Sequence, residues 1–359
     1  MEKIKLSDVV FRAKESVSKD KTDLVYYVGG EHFDNASMTV NNKGLIKGST
    51  IGPAFSTKFR SGDVLLMSRN PHLRKAGMVN FDGICSDVSY IIRTKDENVL
   101  RQKFIPIIFQ SDAFWTFAEK NKKGSTNFFL NWTDFERFEF YLPDIKRQDE
   151  LCEILWSMHE LKELYLKMLL KCEELIIAKY IKMFGYINET NNYPRKQWKD
   201  VVSILNGKDH KSISGSGKYG VYGTGGRMLD AKEYLCEENT IIMGRKGTID
   251  KPFIAPEKCW VVDTAFGVNP KGNDLNYLYL FYYIKQIDYD KLNKACTLPS
   301  VTKSDLEKLW INVPPIEEQN KFASFVKTIY QLKMRISSTL EDLNNMFSTI
   351  LNSEFNKEE

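Results

Sequence analysis

The chain has 359 residues, of which 42% are hydrophobic and 13% aromatic, and its formal net charge is +4. This length favours two or more domains, and the apolar content excludes a disordered chain. The mildly basic charge permits a polyanionic partner without requiring one. Six cysteines without a Cys-x-x-Cys pair, a charged segment from Met1 to Asp20 and no stretch of membrane-spanning length predict a cytoplasmic protein without a membrane partner.

Residues 1–143 are expected to form a first globule of mixed α/β class. Short β-rich runs at 64–67 and 90–92 are bounded by turn residues, and an apolar helical stretch covers 103–118. After the first run, a loop combines cations with hydrogen-bonding side chains, which can read base edges or hold phosphates. The predicted DNA contacts of this globule are Arg69, Asn70, Arg74, Lys75, Lys123 and Thr126. For any single member, a solvated loop residue is the alternative.

Residues 144–190 are expected to form a first long helix, from Gln148 to about Phe184, followed by a polar linker. Its length is roughly 37 residues, or about 55 Å at 1.5 Å per residue, so it needs a partner. Apolar residues recur at heptad positions a and d, which predicts a pairing seam. The seam residues on this helix are Leu151, Ile154, Met158, Leu161, Tyr165 and Met168. Apolar residues outside the seam are expected to bind another protein, with coverage by the globules as the alternative. These residues are Leu155, Trp156, Leu166, Leu169 and Leu170.

Residues 191–312 are expected to form a second mixed α/β globule, with strands at 240–243 and 260–262 and a helix at 275–287. A loop after the strand at 240–243, a glycine-rich loop and a later Lys/Thr segment again combine cations with polar side chains. The predicted DNA contacts of this globule are Tyr222, Thr224, Arg227, Arg245, Lys246, Lys294 and Thr297.

Residues 313–359 are expected to form a second long helix in the same heptad register, 171 residues after the first (Gln148 to Gln319). Its seam residues are Phe322, Phe325, Ile329, Leu332, Ile336 and Leu343. Two stripes in one register predict an intrachain antiparallel coiled coil that relates the globules by a pseudo-twofold axis. The alternative is that each helix packs only on its own globule.

The repeat also extends upstream of the helices. Lys5–Val10 resembles Gln197–Val202 at an offset of 192, and Gly62–Arg69 resembles Glu238–Arg245 at an offset of 176. A shrinking offset indicates that the first copy has longer early loops, which proteins tolerate readily.

The sequence contains literal matches to enzyme signatures, which we interpret as coincidental. Gly215–Gly220 spells the glycine pattern of dinucleotide sites, but it is expected in a polar loop. Asp144, Glu160 and Lys162 imitate a metal-dependent nuclease, whose residues belong on a strand hairpin, whereas Leu161 is expected here in the helix seam. The four histidines lack metal-ligand spacing. We expect no catalytic residue, no metal and no cofactor in this chain, with a single-chain nuclease and a protein-binding structural adaptor as the alternatives.

The combined pattern resembles the specificity subunit of type I DNA restriction-modification systems. The resemblance rests on Leu142-Pro143-Asp144-Ile145 to Gln148 and on Val313-Pro314-Pro315-Ile316-Glu317-Glu318-Gln319, each followed by a long helix. Supporting strings are Tyr26–His32, Tyr222–Gly226 and Ile242–Gly247. The first copy departs from the motif, since Asp144 replaces the second proline and Lys146-Arg147 replaces an acidic pair.

This resemblance implies a non-catalytic subunit in which each globule is a target recognition domain that reads one half of a split double-stranded DNA sequence. It implies that the helices act as a ruler and as a docking site for two methyltransferase subunits, with restriction subunits joining the assembly. S-adenosylmethionine, ATP and Mg²⁺ would then belong to those partners. Because the loops of the two globules differ, the two half-sites are expected to differ.

Overall fold

The structure, a computed structural model, describes residues 2–187, 189, 192–292 and 299–355. The chain divides into two compact units, Met1–Leu166 with Ser338–Glu359, and Lys167–Ser337. Each unit contains one globule and one part of each long helix. The unit boundaries lie inside the helices, and the four-part division at 1–143, 144–190, 191–312 and 313–359 stays a prediction.

The first globule is a mixed α/β fold in which short strands surround a few short helices. Its strands are β1 (Glu2–Lys5), β2 (Val10–Ala13), β3 (Glu15–Ser16), β4 (Tyr26–Val28), β5 (Gly44–Leu45), β6 (Phe55–Phe59), β7 (Val64–Met67), β8 (Ala76–Met78), β9 (Gly83–Ser86), β10 (Ser89–Thr94) and β11 (Glu139–Leu142). Its helices are α1 (Leu6–Val9), α2 (Ile105–Ile108), α3 (Asp112–Asn121) and α4 (Trp132–Phe135), with 3₁₀ turns at Gly30–His32, Pro71–Leu73 and Gln102–Phe104. The first long helix, α5 (Ile145–Phe184), follows.

The second globule follows the same general order with fewer strands and turns among the described residues. Its strands are β12 (Arg195–Gln197), β13 (Val202–Asn206), β14 (Ser214–Gly223), β15 (Gly226–Ala231), β16 (Thr240–Gly244), β17 (Phe253–Ala255), β18 (Cys259–Val261), β19 (Ala265–Pro270) and β20 (Trp310–Asn312). Its helices are α6 (Trp198–Val201), α7 (Tyr277–Ile284) and α8 (Lys303–Leu306), with a 3₁₀ turn at Tyr289–Lys291. The second long helix is α9 (Ile316–Phe355).

Sheet order demonstrates the internal repeat. The first globule has a four-stranded antiparallel sheet in the order β2-β10-β7-β8, and the second has β13-β19-β16-β17. A two-stranded ribbon, β1-β11 or β12-β20, precedes the long helix in each copy, and a parallel pair, β4-β9 or β14-β18, lies in the remaining sheet. The predicted mixed α/β class and the presence of two similar globules are confirmed.

Two local predictions were wrong. The stretch 103–118 is not one helix, because Ser111 adopts an extended conformation and caps α3 by accepting a hydrogen bond from the Phe114 amide. Gly215–Gly220 does not lie in a loop but within strand β14. Strand β15 follows these glycines, whereas a dinucleotide site would require a helix there.

Gln148 explains why the first motif ends on glutamine. Its side chain is fully buried, and its Oε1 accepts a hydrogen bond of 3.0 Å from the Arg101 amide. Its Nε2 donates to the carbonyl oxygens of Val99 and Pro143, each at 2.9 Å. The first turn of α5 is thereby joined to the segment that precedes α2.

Gln319 makes the same three bonds in the second copy. Its Oε1 accepts from the Asn276 amide at 2.8 Å, and its Nε2 donates to the carbonyls of Asp274 at 2.9 Å and Pro314 at 2.8 Å. One buried side-chain amide therefore fixes the start of each long helix against its own globule.

In the first unit, the start of α5 runs antiparallel to the end of α9. The Arg147 guanidinium binds the buried Glu354 carboxylate, with 3.1 Å from Nε to Oε1. Leu151 and Leu155 share a core with Leu351. The motif's departure at Arg147 therefore supplies a cross-helix ion pair.

In the second unit, the end of α5 runs antiparallel to the start of α9. The ring of Phe322 lies 5.5 Å from that of Tyr180 and 5.7 Å from that of Phe184. The Glu173 carboxylate accepts from Lys333 of the other helix at 3.2 Å. Antiparallel helix pairing is thus present in each unit, and the alternative of helices that pack only on their own globule is wrong. The pseudo-twofold relation between the globules stays a prediction.

The predicted seam is half right. Leu151, Phe322, Ile329 and Ile336 at a positions are buried, and Met158, Tyr165, Phe325 and Leu343 are half-buried. The predicted d positions Ile154, Leu161, Met168 and Leu332 are 40–45% exposed, so their assignment to the seam was wrong. The second buried stripe lies one residue later, at e positions. Its buried members are Leu155, Ile176, Val326 and Leu340.

The physical cause of this shift is the globule that each half-helix also contacts. At about 100° per residue, an a/e stripe faces about 50° away from an a/d stripe. Leu155 and Phe347 pack into the core of the first globule, so the buried face must serve both the helix and the globule. The prediction that Leu155 binds a partner was wrong for this reason.

Candidate nucleic-acid interface

The first predicted loop follows β7 and is held in place by its backbone. Asn70 and Arg74 adopt left-handed conformations with φ of 53° and 50° on either side of the 3₁₀ turn Pro71–Leu73. The Asn70 amide donates to the Phe128 carbonyl at 2.9 Å, and the backbone of Arg69 bridges to Phe129. The structure therefore brings the loop beside the segment that carries Lys123 and Thr126, both of which are exposed.

Two of the predicted contacts in this loop are engaged within the protein. The Arg74 Nη1 donates to the Asp112 carboxylate at 2.6 Å, and the Lys75 Nζ donates to the Gly30 carbonyl at 2.6 Å. Arg69 is exposed and Asn70 is half-buried. Arg69 is therefore the more accessible cation, while Arg74 and Lys75 hold the loop.

Asp134 organises a small cationic surface that the sequence reasoning partly missed. Its buried carboxylate lies 3.9 Å from the Lys123 Nζ and 3.4 Å from the Arg137 Nη1. Both cations are exposed. Arg137, three residues after Asp134, was not predicted, because only the fold brings Lys123 to the same carboxylate.

The second predicted loop follows β16. The Arg245 side chain is half-buried, with its Nη1 3.5 Å from the Asp263 carbonyl and its guanidinium carbon 6.0 Å from the centre of the Phe266 ring. Lys246 is exposed, and its backbone bridges to Ser300. Lys294 and Thr297, predicted in the neighbouring segment, lie outside the described residues.

Ladder register corrects the sequence alignment of these two loops. Ile91 pairs with Leu65 in the first sheet, and the equivalent Gly267 pairs with Ile242 in the second. The offset is therefore 177 (65 to 242) and not 176. Arg69 corresponds to Lys246, since both form the equivalent backbone bridge, to Phe129 and to Ser300 respectively.

With this offset, Arg245 is the structural counterpart of the buried Ser68. The Leu130 amide donates to the Ser68 carbonyl at 2.9 Å, and the Val301 amide donates to the Arg245 carbonyl at 3.0 Å. The apparent match between Arg69 and Arg245 came from identical letters. Because strand side chains alternate, a slip of one residue moves each side chain to the other face.

The glycine-rich loop is the tip of the hairpin β14–β15. Tyr222 is buried, its hydroxyl donates to Glu257 at 3.1 Å, and burial together with this carboxylate raises the pKa of Tyr222 to about 12. The exposed Arg227 donates to Glu257 at 3.2 Å and to Asp230 at 2.6 Å. Thr224 is half-buried at the turn. Tyr222 and Arg227 therefore brace the hairpin, and two carboxylates offset the charge of Arg227.

A cation–aromatic cluster on the same unit was missed by sequence reasoning. The rings of Tyr219 and Tyr234 lie 5.0 Å apart. The Lys218 Nζ lies 5.1 Å from the Tyr219 ring and the Lys258 Nζ 4.6 Å from the Tyr234 ring. Lysines beside aromatic rings can hold a phosphate backbone, and the rings offer flat apolar contacts. Its members come from three segments, which the β14–β18 pairing and the Cys236–Cys259 bridge bring together.

The remaining predicted partner-binding residues differ in exposure. Trp156 is half-buried, packs on the first core and donates its Nε1 hydrogen to the Lys103 carbonyl at 2.9 Å, so its assignment to an outer surface was wrong. Leu169 is half-buried, whereas Leu166 is 41% and Leu170 68% exposed. Leu161, Leu164 and Met168 are exposed as well, so α5 retains an apolar surface composed differently from the one predicted.

The nuclease pattern is not assembled. Asp144 precedes α5 and accepts from the Arg147 amide at 2.9 Å, whereas Glu160 lies 16 positions further along, about 24 Å at 1.5 Å per residue. Among the described residues, no group of three or more His, Cys, Asp or Glu side chains could hold a metal ion. Within the same residues, no helix is both long and apolar enough to cross a membrane.

Comparison with known families bears on this arrangement. Residues 191–343 match the model of the type I restriction modification DNA specificity domain. Over these residues, about two fifths of the chain, the sequence is similar to that domain. The resemblance inferred from the two motifs is confirmed.

Two curated relatives come from Methanocaldococcus jannaschii. The putative type I restriction enzyme MjaX specificity subunit is 22% identical over 253 residues, which is 60% of this chain and 59% of that protein. The type I restriction enzyme MjaVIII specificity subunit is 27% identical over 128 residues, which is 35% of this chain and 30% of that protein. The match thus spans about three fifths of the first relative and under a third of the second.

Two solved structures share the fold across nearly the whole chain. The type I restriction-modification S subunit from M. genitalium has a TM-score of 0.68 at 15% identity and covers 100% of this chain and 96% of its own. A chain from a study of complex assembly and conformational transition of the type I system has a TM-score of 0.57 at 17% identity, with 98% and 97% covered. The fold around the specificity domain is therefore that of type I specificity subunits.

Proposed function

We propose that this chain is the specificity subunit of a type I restriction-modification complex and that it recognises a bipartite, asymmetric double-stranded DNA target. The observation that carries the proposal is one scaffold built twice with different loops. Gln148 and Gln319 fix equivalent helix starts, whereas Arg69-Asn70 in one copy corresponds to Lys246-Gly247 in the other. Equal scaffolds with unequal contact residues suit two different half-sites.

Direct contact is proposed for the accessible cations. Arg69 and Lys246 are both exposed and hold equivalent positions after an inner strand of their sheets, β7 and β16. Lys123 extends the first surface. Arg74, Lys75 and Arg227 support the loops through their internal bonds. Arginine can bond guanine bidentately, whereas lysine acts as a point charge, so the first loop is proposed to be the more sequence-selective.

Partner docking and the absence of catalysis complete the proposal. The exposed apolar residues of α5, among them Leu161 and Leu170, are proposed to bind methyltransferase subunits. S-adenosylmethionine, ATP and Mg²⁺ would act on those subunits and on restriction subunits. The chain alone is then expected to leave DNA uncut in the presence of Mg²⁺, and cutting by the purified chain would favour the nuclease alternative.

Methylation mapping tests this function and identifies the target sequence in the same experiment. The host genome is mapped with the gene intact, deleted and restored. We expect one split, asymmetric motif to lose methylation on deletion and to regain it on restoration. An unchanged methylome, together with no methyltransferase recovered by pull-down, would contradict the proposal and favour a structural adaptor.

The mapped motif then allows a residue-level test with the reconstituted methyltransferase complex. Lys246→Ala should weaken DNA binding and lower the slope of log affinity against log salt by about 0.9, the value for one lost phosphate contact. Lys327→Ala removes an exposed lysine from α9 and is the matched control, with no expected change. Equal effects of the two substitutions would refute a specific role for the second loop.

A further inference from the structure

Cys236 and Cys259 lie directly opposite each other in an antiparallel bridge of the second unit. The Cys236 amide donates to the Cys259 carbonyl and the Cys259 amide donates to the Cys236 carbonyl, both at 2.9 Å. A doubly hydrogen-bonded antiparallel pair has Cα atoms about 5.5 Å apart. That separation falls inside the roughly 4.4–6.8 Å range of disulfides. The Cα spacing of this pair therefore lies within the range of disulfides.

Directly opposite residues of an antiparallel pair point to the same face, and a glycine leaves room there for the Cys236 sulfur atom. Gly267 lies against this pair, and a Cβ built on it would approach the Cys236 Sγ to 2.6 Å. The neighbouring Cys259 thiol lowers the pKa of Cys236, because it can donate to the Cys236 thiolate. The same interaction and, to a smaller extent, burial raise the pKa of Cys259. Cys236 is thus the better nucleophile of the two.

We infer that Cys236 and Cys259 form a reversible disulfide site that reacts with small hydroperoxides. The Cys236 thiolate attacks one peroxide oxygen, the O–O bond breaks, and the departing oxygen leaves as hydroxide or alkoxide and takes up a proton. The Cys259 sulfur then attacks the sulfenic sulfur of Cys236, and the sulfenic oxygen leaves as water. For hydrogen peroxide, two thiols and one peroxide give one disulfide and two waters, so the thiols are oxidised and the peroxide is reduced.

The position of the pair determines how it is reached and what the bond would tie down. Cys236 is 5% exposed and borders the exposed Glu237, whereas Cys259 is fully buried, so a small oxidant meets Cys236 first. Cys259 begins β18, whose Val261 pairs with Tyr222 of the hairpin. The disulfide would close the chain from 236 to 259, which includes β16, and would restrain this edge of the second globule.

Thiol counting on the full-length chain tests the inference. The protein is treated with hydrogen peroxide, denatured, alkylated with N-ethylmaleimide and weighed intact. The sequence has six cysteines, so the untreated protein should carry six adducts and the oxidised protein four. Trypsin should then release a linked pair composed of 233–245 and 259–271, which dithiothreitol separates. Six adducts after oxidation, or a linkage between other cysteines, would overturn the inference.

Two substitutions sharpen the test. Cys236→Ser should carry five adducts after oxidation and dithiothreitol-sensitive peptides should be absent. Cys85→Ser is the matched control, since Cys85 is also buried but belongs to the first unit, and it should still lose two adducts on oxidation. Oxidation should raise the melting temperature of the wild type and of Cys85→Ser by several degrees, and leave that of Cys236→Ser unchanged. Loss of two thiols in Cys236→Ser would contradict the assignment.

Discussion

The glutamine that begins each long helix offers a stringent test of the repeated scaffold. Gln319→Ala removes three buried hydrogen bonds and leaves the Asn276 amide and the carbonyls of Asp274 and Pro314 without their partner. A net contribution of about 1 kcal/mol per bond gives a loss of roughly 2–4 kcal/mol. Gln148→Ala should cost a similar amount, because its three bonds have nearly the same lengths.

Peptide-level hydrogen exchange measures this loss where it occurs. A chain with two units need not unfold in a single step, so local exchange is more informative than one global transition. Gln319→Ala should accelerate exchange around residues 274–280 and leave 97–103 unchanged, and Gln148→Ala should do the reverse.

The control keeps residue type and helix constant. Gln331 lies on α9 and is exposed, so Gln331→Ala should change stability by less than about 0.5 kcal/mol. The two buried substitutions share no hydrogen-bond partner, so their effects should add in the double variant. A cost for Gln319→Ala no larger than that of Gln331→Ala would refute the view that this amide anchors the helix.

Three further outcomes are expected. Ile336→Asp should abolish cooperative folding, because Ile336 is 3% exposed. Leu161→Asp should keep its helical circular dichroism, since Leu161 is 40% exposed. Equal loss of helical signal in both variants would support the original a/d assignment of the seam. Burial lowers the pKa of His159 to about 4, so the unfolded chain binds more protons between about pH 4 and 6.5 and stability should fall as pH falls through that window. Urea unfolding at several pH values should show that the stability of His159→Gln depends less on pH, by up to roughly 2–3 kcal/mol across this window. Arg147→Ala should cost roughly 1–3 kcal/mol, more than Glu354→Gln, because it leaves a buried carboxylate without this guanidinium. Equal costs in urea unfolding would contradict a stabilising ion pair.

Much of the architecture could be predicted because it depends on local periodicity. The strands at 64–67 and 240–243 are short apolar runs between turn residues, and both form as expected. The long helices begin three residues before the predicted glutamines, at Ile145 and Ile316. In the first, the Asp144 carboxylate caps the helix by accepting from the Arg147 amide. Chain-local signals were sufficient for these elements.

Which of two adjacent apolar positions is buried could not be predicted. Leu155 and Ile154 are neighbours with similar side chains, yet Leu155 is fully buried and Ile154 is 45% exposed. Heptad counting weighs only the helix partner, whereas the globule adds a second surface from a different direction. The sequence contains no local signal for that direction, since the residues that Leu155 meets come from distant segments.

The same limit applies to the candidate interface and indicates which cations to trust. Arg227 and Arg74 look as available in the sequence as Arg69, but Glu257 and Asp112, each about 30 or more positions away, occupy their guanidinium groups. Only the ladder register shows that Lys246, and not Arg245, corresponds to Arg69. Arg69 and Lys246 are exposed cations at the same ladder position in both copies, on loops fixed by equivalent backbone bonds. Packing does not explain a cation at an exposed position, whereas a binding role does. We therefore expect Arg69 and Lys246 to contribute more to DNA affinity than Arg74, Arg227 or Arg245, and binding measurements on the five alanine variants would reveal the opposite order if internal ion pairs open on contact with DNA.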